Sequence, residues 1–387
     1  MGKKLICVWL SLTVLLFSTI TIYAEDDAQG EFLNRNIDIN GNRIANYYLE
    51  NPLFLYQGMT YFPLTEEMGE LFGFTADMDW ESRTLKILKQ EPVRTAVSEE
   101  VLKSNLVNPK AVILRNITVL TLAAEEEEKP ELPVELKGVS LSAKDIDIGG
   151  QLEEIRAQAE AEIIKIPELI VEELDLAKYE LLQVGDTLYL PIRALTGESC
   201  FGWDVYYDDY SGLYLSTNPG VDAVSTFDKA ESDYNKGLAS YIVSRNKEIT
   251  SGEALMLTFL FKHEADVSGV DEKLLMAMAQ KESTFRTDIV GKSGSVGLMQ
   301  IMPKTAERYG IPREKLFDPH VNIEFGAKYI GAKIDEYDNT TIALSAYNQG
   351  GLAISRGTYN TRYADKVTAS KAALEKYLTD NGYGSGE

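Results

Sequence analysis

Two cysteines and two histidines in 387 residues exclude much of the chemistry that those side chains carry. Cys7 lies in an apolar N-terminal run, so Cys200 is the only cysteine beyond it, and one cysteine cannot close an internal disulfide. Stability must then come from packing, and Cys200, between Ser199 and Phe201, reads as a small buried apolar residue. His263 and His320 stand in unrelated contexts, without the spacing of a zinc site, so neither a metal nor a cofactor is expected. Positive charge is also in short supply: the formal net charge is −22. The imbalance is local, since residues 251–380 hold 17 Asp/Glu against 16 Lys/Arg while residues 1–250 hold 42 against 22. Such an acidic N-terminal part repels phosphate backbones and anionic lipid, which excludes nucleic acid as a partner. Its plain reading is a solvated, solubilising surface.

Long hydrophobic runs are scarce as well, with one exception. Lys3 and Lys4 precede an apolar run from Leu5 to Ile22, which ends at Tyr23-Ala24 before Glu25-Asp26-Asp27. A basic start, an apolar core and a small residue at the cleavage point describe a secretory signal over residues 1–24. The run is also long enough to span a bilayer if uncut, and the bulky Ile22 near the cleavage point keeps an N-terminal anchor open. Either way the remainder of the chain is exported.

What remains exceeds one ordinary core, and 44% hydrophobic residues suffice to pack two or three domains. Two stretches in the N-terminal half resemble each other. The first is Gly58-Met59-Thr60-Tyr61-Phe62-Pro63-Leu64, then Gly73-Phe74, Asp79-Trp80 and Leu85-Lys86-Ile87. The second is Gly185-Asp186-Thr187-Leu188-Tyr189-Leu190-Pro191-Ile192, then Gly202-Trp203, Asp208-Asp209 and Leu213-Tyr214-Leu215. Each reads as a strand, a short helix started by proline, a glycine turn and a returning strand. An internal duplication within one mixed α/β domain over residues 32–218 accounts for the pair. Between the repeats, about 90–180, the chain reads as an insertion: Glu125 to Glu128 with Pro130 and Pro133 form an exposed charge run. Leu152, Ile155, Ala159 and Ile163 share one helical face there, to pack on the sheet or on another chain. The repeat pair resembles the copper amine oxidase N-terminal-like domain, without copper ligands.

Asn218-Pro219-Gly220 closes the strand-rich part, and the pattern then turns helical over residues 228–380. Tyr234, Leu238, Tyr241 and Ile242 share a face, and Ser251 is placed to cap a helix burying Ala254, Leu255, Phe259 and Leu260. Asp271 is placed to cap a helix that turns Leu274, Leu275, Met278 and Ala279 inward and delivers Glu282 at its C-terminal end. In isolation such a glutamate is a solvated surface charge.

Its context says otherwise. The series Glu282-Ser283-Thr284-Phe285, Gly294 to Pro303, Asp318-Pro319 with Asn322-Ile323 and Gly326, and Ala346-Tyr347-Asn348 resembles, in order, the soluble lytic transglycosylase domain. The resemblance covers about residues 252–370 and implies an all-α lysozyme-like fold that acts on peptidoglycan glycan strands. It implies that Glu282 protonates the β-1,4 glycosidic oxygen between N-acetylmuramic acid and N-acetylglucosamine. The same residue then serves as base while the C6 hydroxyl closes a 1,6-anhydro ring. An acid can do this near neutral pH when an apolar setting raises its pKa, and Leu298, Met299 and Ile301 are candidates for that wall.

By the same resemblance Gln300, with Met299, lines the groove, Tyr347 orients Glu282 or the substrate, and Asn348 holds a turn or touches substrate from behind. Gly294 and Gly297 let backbone approach the groove, and Arg362-Tyr363 with Val367 packs beside it. Two departures stand out. A serine usual nine residues after the glutamate is Gly291, leaving Ser293 as the nearby candidate, and the loop Tyr347-Asn348-Gln349-Gly350-Gly351 lacks the usual proline. Two other readings stay open: a lysozyme-type muramidase that uses water on the same fold, and a non-catalytic wall-binding or assembly protein. The accessory domain would place the enzyme at the wall or engage an envelope protein, and contact with membrane is expected only if the N-terminal segment stays uncut.

Overall fold

The structure, a computed structural model, describes residues 26–33, 35–94, 108–124, 169–176, 178–196, 200–218 and 220–384. The N-terminal apolar run, the Glu125–Glu128 charge run and the helical pattern of residues 151–164 lie outside the described residues. Among the described residues no helix is long and apolar enough to cross a membrane.

The N-terminal part is strand-rich. Its described strands form three sheets. The largest has the spatial order Asp26–Gln29, Lys110–Leu114, Leu181–Val184, Thr187–Pro191, Met59–Pro63, Phe54–Tyr56, Glu31–Phe32. The two look-alike segments run through the same sequence of elements. In the first, the hairpin Phe54–Tyr56/Met59–Pro63 leads to helix α1 (Glu66–Phe72) and the hairpin Phe74–Asp79/Thr84–Lys89. In the second, Leu181–Val184/Thr187–Pro191 leads to a 3-10 turn at Ile192–Leu195 and to Asp204–Asp208/Gly212–Ser216. Their inner strands pair antiparallel, with Tyr189 opposite Pro63, Leu190 opposite Phe62 and Pro191 opposite Tyr61. Each segment's tyrosine therefore faces the other's proline.

Only one of those prolines stands at a helix start: Pro191 immediately precedes the 3-10 turn Ile192–Leu195, whereas Pro63 does not begin α1. Pro63 closes a strand, and Thr65 caps α1 two residues later by accepting from Met68 N. The missing N–H is tolerated there because Pro63 lies beyond the last pair with Phe54–Tyr56, where no ladder bond is lost. The described residues of the stretch read as an insertion are sheet: Lys110–Leu114 sits between Asp26–Gln29 and Leu181–Val184, and Thr118–Ala124 runs parallel to Thr84–Lys89. Ala111, Ile113, Leu114 and Val119 are buried, so these strands belong to the core. Alternation alone could not be seen there because so few strand residues separate the turns. Cys200 is only partly buried, and its Sγ donates to Thr121 Oγ1 at 3.3 Å. Trp203 packs against Phe62, Phe72, Phe74 and Phe201 at the centre of the strand-rich core.

From Lys229 onward the chain is helical. Helix α2 (Lys229–Arg245) buries Tyr234, Leu238, Tyr241 and Ile242 on the expected face. Helix α3 (Ser251–Ser268) is capped one residue earlier than expected: Thr250 accepts from Glu253 N while the Glu253 carboxylate accepts from Thr250 N at 2.8 Å. This reciprocal box satisfies two donors, which a lone serine cap could not do. Helix α4 (Glu272–Ser283) is capped by Asp271, which accepts from Lys273 N and Leu274 N. Asp318 caps α5 (Pro319–Tyr337), Asn339 caps α6 (Thr340–Gln349), and α7 (Arg362–Asp380) packs back on α4. Each such cap is worth about 1 kcal/mol.

The two parts share a core. Phe32 and Tyr48 of the strand-rich part pack into the helical cluster. Polar contacts frame them: Ser232 Oγ donates to Asp208 Oδ1 at 2.7 Å, Asn235 Nδ2 donates to Tyr210 O at 3.0 Å, and Glu231 joins Arg43 to Lys262.

Candidate active site

Helix α4 is buried all round over its middle, from Leu274 to Ala279, and Lys281 and Glu282 emerge toward the surface only in its last turn. The helix stops abruptly one residue after Glu282. Ser283 Oγ bonds back to Ala279 O, and Thr284 and Phe285 both take left-handed backbone conformations, with φ of 55° and 60°. Two consecutive non-glycine residues there carry strain, which surrounding packing must hold. Phe285 supplies that packing: it is fully buried and meets Phe261 edge to face. The break fixes Glu282 at the mouth of the helix end instead of in a continuing helix.

Glu282 is partly buried, and burial raises its carboxyl pKa above the ordinary value. The opposing influences are smaller: the Tyr363 hydroxyl and the Lys281 ammonium favour its anion. Tyr363, near the start of α7, is buried, and its hydroxyl faces the Glu282 carboxyl without reaching good hydrogen-bond alignment. We take it as a donor in reach of the acid, not as a bond already made. Tyr347 Oη donates to Met299 O at 2.9 Å. Burial first, and the nearby Glu282 charge second, push both tyrosine pKa values well up, so both hydroxyls stay protonated at neutral pH. The Tyr347 and Tyr363 rings are parallel, 6.4 Å apart, and Tyr329 braces Tyr347 edge to face at 5.6 Å.

The loop from Gly291 to Ile301 meets the tyrosines through the Met299 carbonyl, which accepts from Tyr347 Oη. Two facing backbone bridges, Val290 with Val296 and Val296 with Ile301, tie it. Asn322 on α5 holds it from below, donating to Val296 O at 2.9 Å and Leu316 O at 2.7 Å and accepting from Met299 N at 2.7 Å. Gly297 is required at this junction. Its φ is +77°, and a Cβ there would collide with Asn322 Nδ2 and Leu316 O.

The expected contact residues fall into different places. Gln300 is at the loop, but its amide is engaged: Nε2 donates to Gly297 O at 2.9 Å and Ile289 O at 3.3 Å, and Oε1 accepts from Ser295 Oγ at 2.7 Å. Its first task is therefore to hold the loop. Met299 is fully buried, so its side chain packs in the core against Gly326 and only its carbonyl serves the site. Leu298 and Ile301 are core residues too. Asn348 and Ser293 are exposed. The serine that fills the space above Gly291 is Ser295: a Cβ on Gly291 would meet Ser295 Oγ and Gln300 Oε1. Spacing from the glutamate pointed to Ser293; only the fold of the loop reveals Ser295. Tyr363 was placed beside the groove by its motif, and the structure puts its hydroxyl toward the acid.

Residues 259–369 match the family described as the Transglycosylase SLT domain. Among similar curated proteins, "Membrane-bound lytic murein transglycosylase F" of Pseudomonas putida is 38% identical over 98 residues, 24% of this chain and 20% of that protein. "Membrane-bound lytic murein transglycosylase C" of Histophilus somni is 34% identical over 120 residues, 27% of this chain and 33% of that protein. The chain thus spans a third or less of the length of these relatives. A lytic transglycosylase Slt of Pseudomonas aeruginosa, solved as an inactive mutant, aligns with a TM-score of 0.29 at 19% identity, over 42% of this chain and 32% of that one. A likeness that slight decides nothing. The acid at the broken end of α4, the loop held by Asn322 and the paired tyrosines all fall within the matched stretch: residues 259–369 are a transglycosylase SLT domain.

Proposed function

We propose that residues 228–380 form the catalytic unit of an exported murein lytic transglycosylase. One observation carries the reading: Glu282 is partly buried and burial raises its carboxyl pKa, with the Tyr363 hydroxyl toward it and Tyr347 stacked on Tyr363. In its acid form Glu282 gives a proton to the oxygen linking N-acetylmuramic acid to N-acetylglucosamine, and the C1–O4 bond breaks. The resulting carboxylate takes the proton of the C6 hydroxyl as O6 bonds to C1. One proton passes from O6 to O4 through a single residue, no water is consumed, and the product carries a 1,6-anhydro ring. Such a scheme needs no second carboxylate, unlike the two-acid glycosidases. It fits a Glu282 whose named electrostatic neighbours are Tyr363 and Lys281. Tyr363 and Tyr347 would steady the anion between the two steps.

The test is mass spectrometry of digested peptidoglycan. Anhydro ends, lighter than reducing ends by one water, support the reading; reducing ends point to a muramidase on the same scaffold. Glu282→Gln should lower wall lysis by about 10²- to 10⁴-fold with folding retained. Unchanged lysis would leave a wall-binding or assembly protein.

We read residues 32–218 as an accessory domain, built by duplication and similar to the copper amine oxidase N-terminal-like domain. The pairing of each segment's tyrosine with the other's proline supports a two-fold origin. Residues 1–24 act as an export signal or uncut anchor, which puts the enzyme in the wall or on the outer face of the cytoplasmic membrane. The accessory domain holds it at the wall or against an envelope protein.

A further inference from the structure

Tyr48 belongs to the strand-rich part by sequence and to the helical core by packing. Asn46 pins the turn that carries it, donating to Leu33 O and Leu53 O and accepting from Leu53 N at 2.7 Å. The Tyr48 hydroxyl donates to Glu264 Oε1 at 3.0 Å, and His320 Nε2 lies 3.3 Å from the same oxygen. Both Glu264 and His320 are fully buried. The Tyr48 ring packs 5.0 Å from the rings of both His263 and His320. The two histidines, unrelated in the sequence, converge on one tyrosine from the other part of the molecule.

His320 is the second residue of α5, and two residues later the same turn carries Asn322. Asn322 accepts from Met299 N, and the Met299 carbonyl accepts from Tyr347 Oη. Contacts and short stretches of backbone therefore link a turn in the strand-rich part to Tyr347: Tyr48 to Glu264, Glu264 to His320, the first turn of α5 from His320 to Asn322, and Asn322 through Met299 to the Tyr347 hydroxyl. Gly326, one turn further along α5, packs against the Met299 side chain and ties the same helix to the loop a second time.

We propose that Tyr48 is a positioning residue for glycan cleavage, fixing the first turn of α5 and, through Asn322 and Met299, the hydroxyl of Tyr347. The strand-rich part is then a structural member of the active site as well as an accessory. The role in cleavage rests on the transglycosylase reading; the mechanical coupling does not.

Tyr48→Phe in the full chain keeps the ring and removes the hydroxyl. Coupling across such a network changes rates by about three- to thirtyfold, so kcat on peptidoglycan should fall by that factor with KM unchanged. Amide exchange at Met299 should quicken in the same variant, well below its melting temperature. A tyrosine serving only stability would lower the melting temperature, leave kcat alone and quicken exchange at Met299 no more than at the other core amides. Glu264→Leu, which fills the space but cannot accept from Tyr48, should produce the same two changes and serves if Tyr48→Phe does not fold. A folded variant with parental kcat and parental exchange at Met299 overturns the proposal. A parent chain that releases no muropeptide refutes the transglycosylase reading alone, and exchange at Met299 then decides the coupling by itself.

Discussion

A carboxyl that must first donate a proton and then recover it needs a pKa above its ordinary range, and burial supplies this at Glu282. The direction of the shift fixes two pH dependences. In the proposed cleavage the acid form of Glu282 is required, so the rate should fall as pH rises through the folded pKa. Tyr363 favours the anion, so Tyr363→Phe should carry that falling limb of the kcat profile to higher pH. For stability, the raised pKa means that folding is unburdened below the ordinary carboxylate range and loses stability as the buried anion forms. Glu282→Gln should therefore melt higher than the parent, by a margin that vanishes in acid and grows as pH rises from the ordinary carboxylate range through the raised folded pKa. Thermal scans across that range check the sign. Glu282 was legible in the sequence because a collinear series of motifs surrounds it. The tasks of Gln300 and Met299 were not, because a motif fixes where a residue sits along the chain and not which way its side chain turns.

Helix α5 illustrates how an element far from the acid in sequence holds the loop that meets Tyr347. Asn322 donates to Val296 O of that loop and accepts from its Met299 N, and its second amide donor goes to Leu316 O, all within the core. Asn322→Ala leaves the Met299 N–H and two carbonyls buried without those partners, and should cost about 2–4 kcal/mol. Urea unfolding measures it, and a loss below 1 kcal/mol, on the order of one ordinary hydrogen bond, would show that the loop relaxes freely. Helix faces and the cap at Asp271 could be read in advance because they are local: the side chain that caps lies within three residues of what it caps. The Thr250 box shifted by a single residue for the same local reason. Strands Lys110–Leu114 and Thr118–Ala124 escaped notice because their partners lie far along the chain and short strands carry little periodicity.

Across the whole molecule, the interface between the two parts has the character of an interior. Phe32 and Tyr48 are buried in the helical cluster, and Glu264 and His320 lie beneath them with no exposure. Separating the parts would strand those groups, so calorimetry of the full chain should give one cooperative transition in place of two. Two resolved transitions would mean that the contact is weaker than its burial implies. Connectivity adds a constraint of time. Asn36–Ile39 lies alongside Gly212–Ser216 in parallel, and Asp26–Gln29 alongside Lys110–Leu114. A polypeptide that emerges N-terminus first must therefore hold its earliest strands open-edged until Leu213 arrives, and closure waits on the longest loops in the chain. The helical unit, in which α2 packs on α3 and α5 on α6 as chain neighbours while α7 reaches back to α4, is the last to emerge. Maturation should thus be paced by the opening third of the polypeptide, whose exposed edges are the surface most in need of a chaperone's shelter.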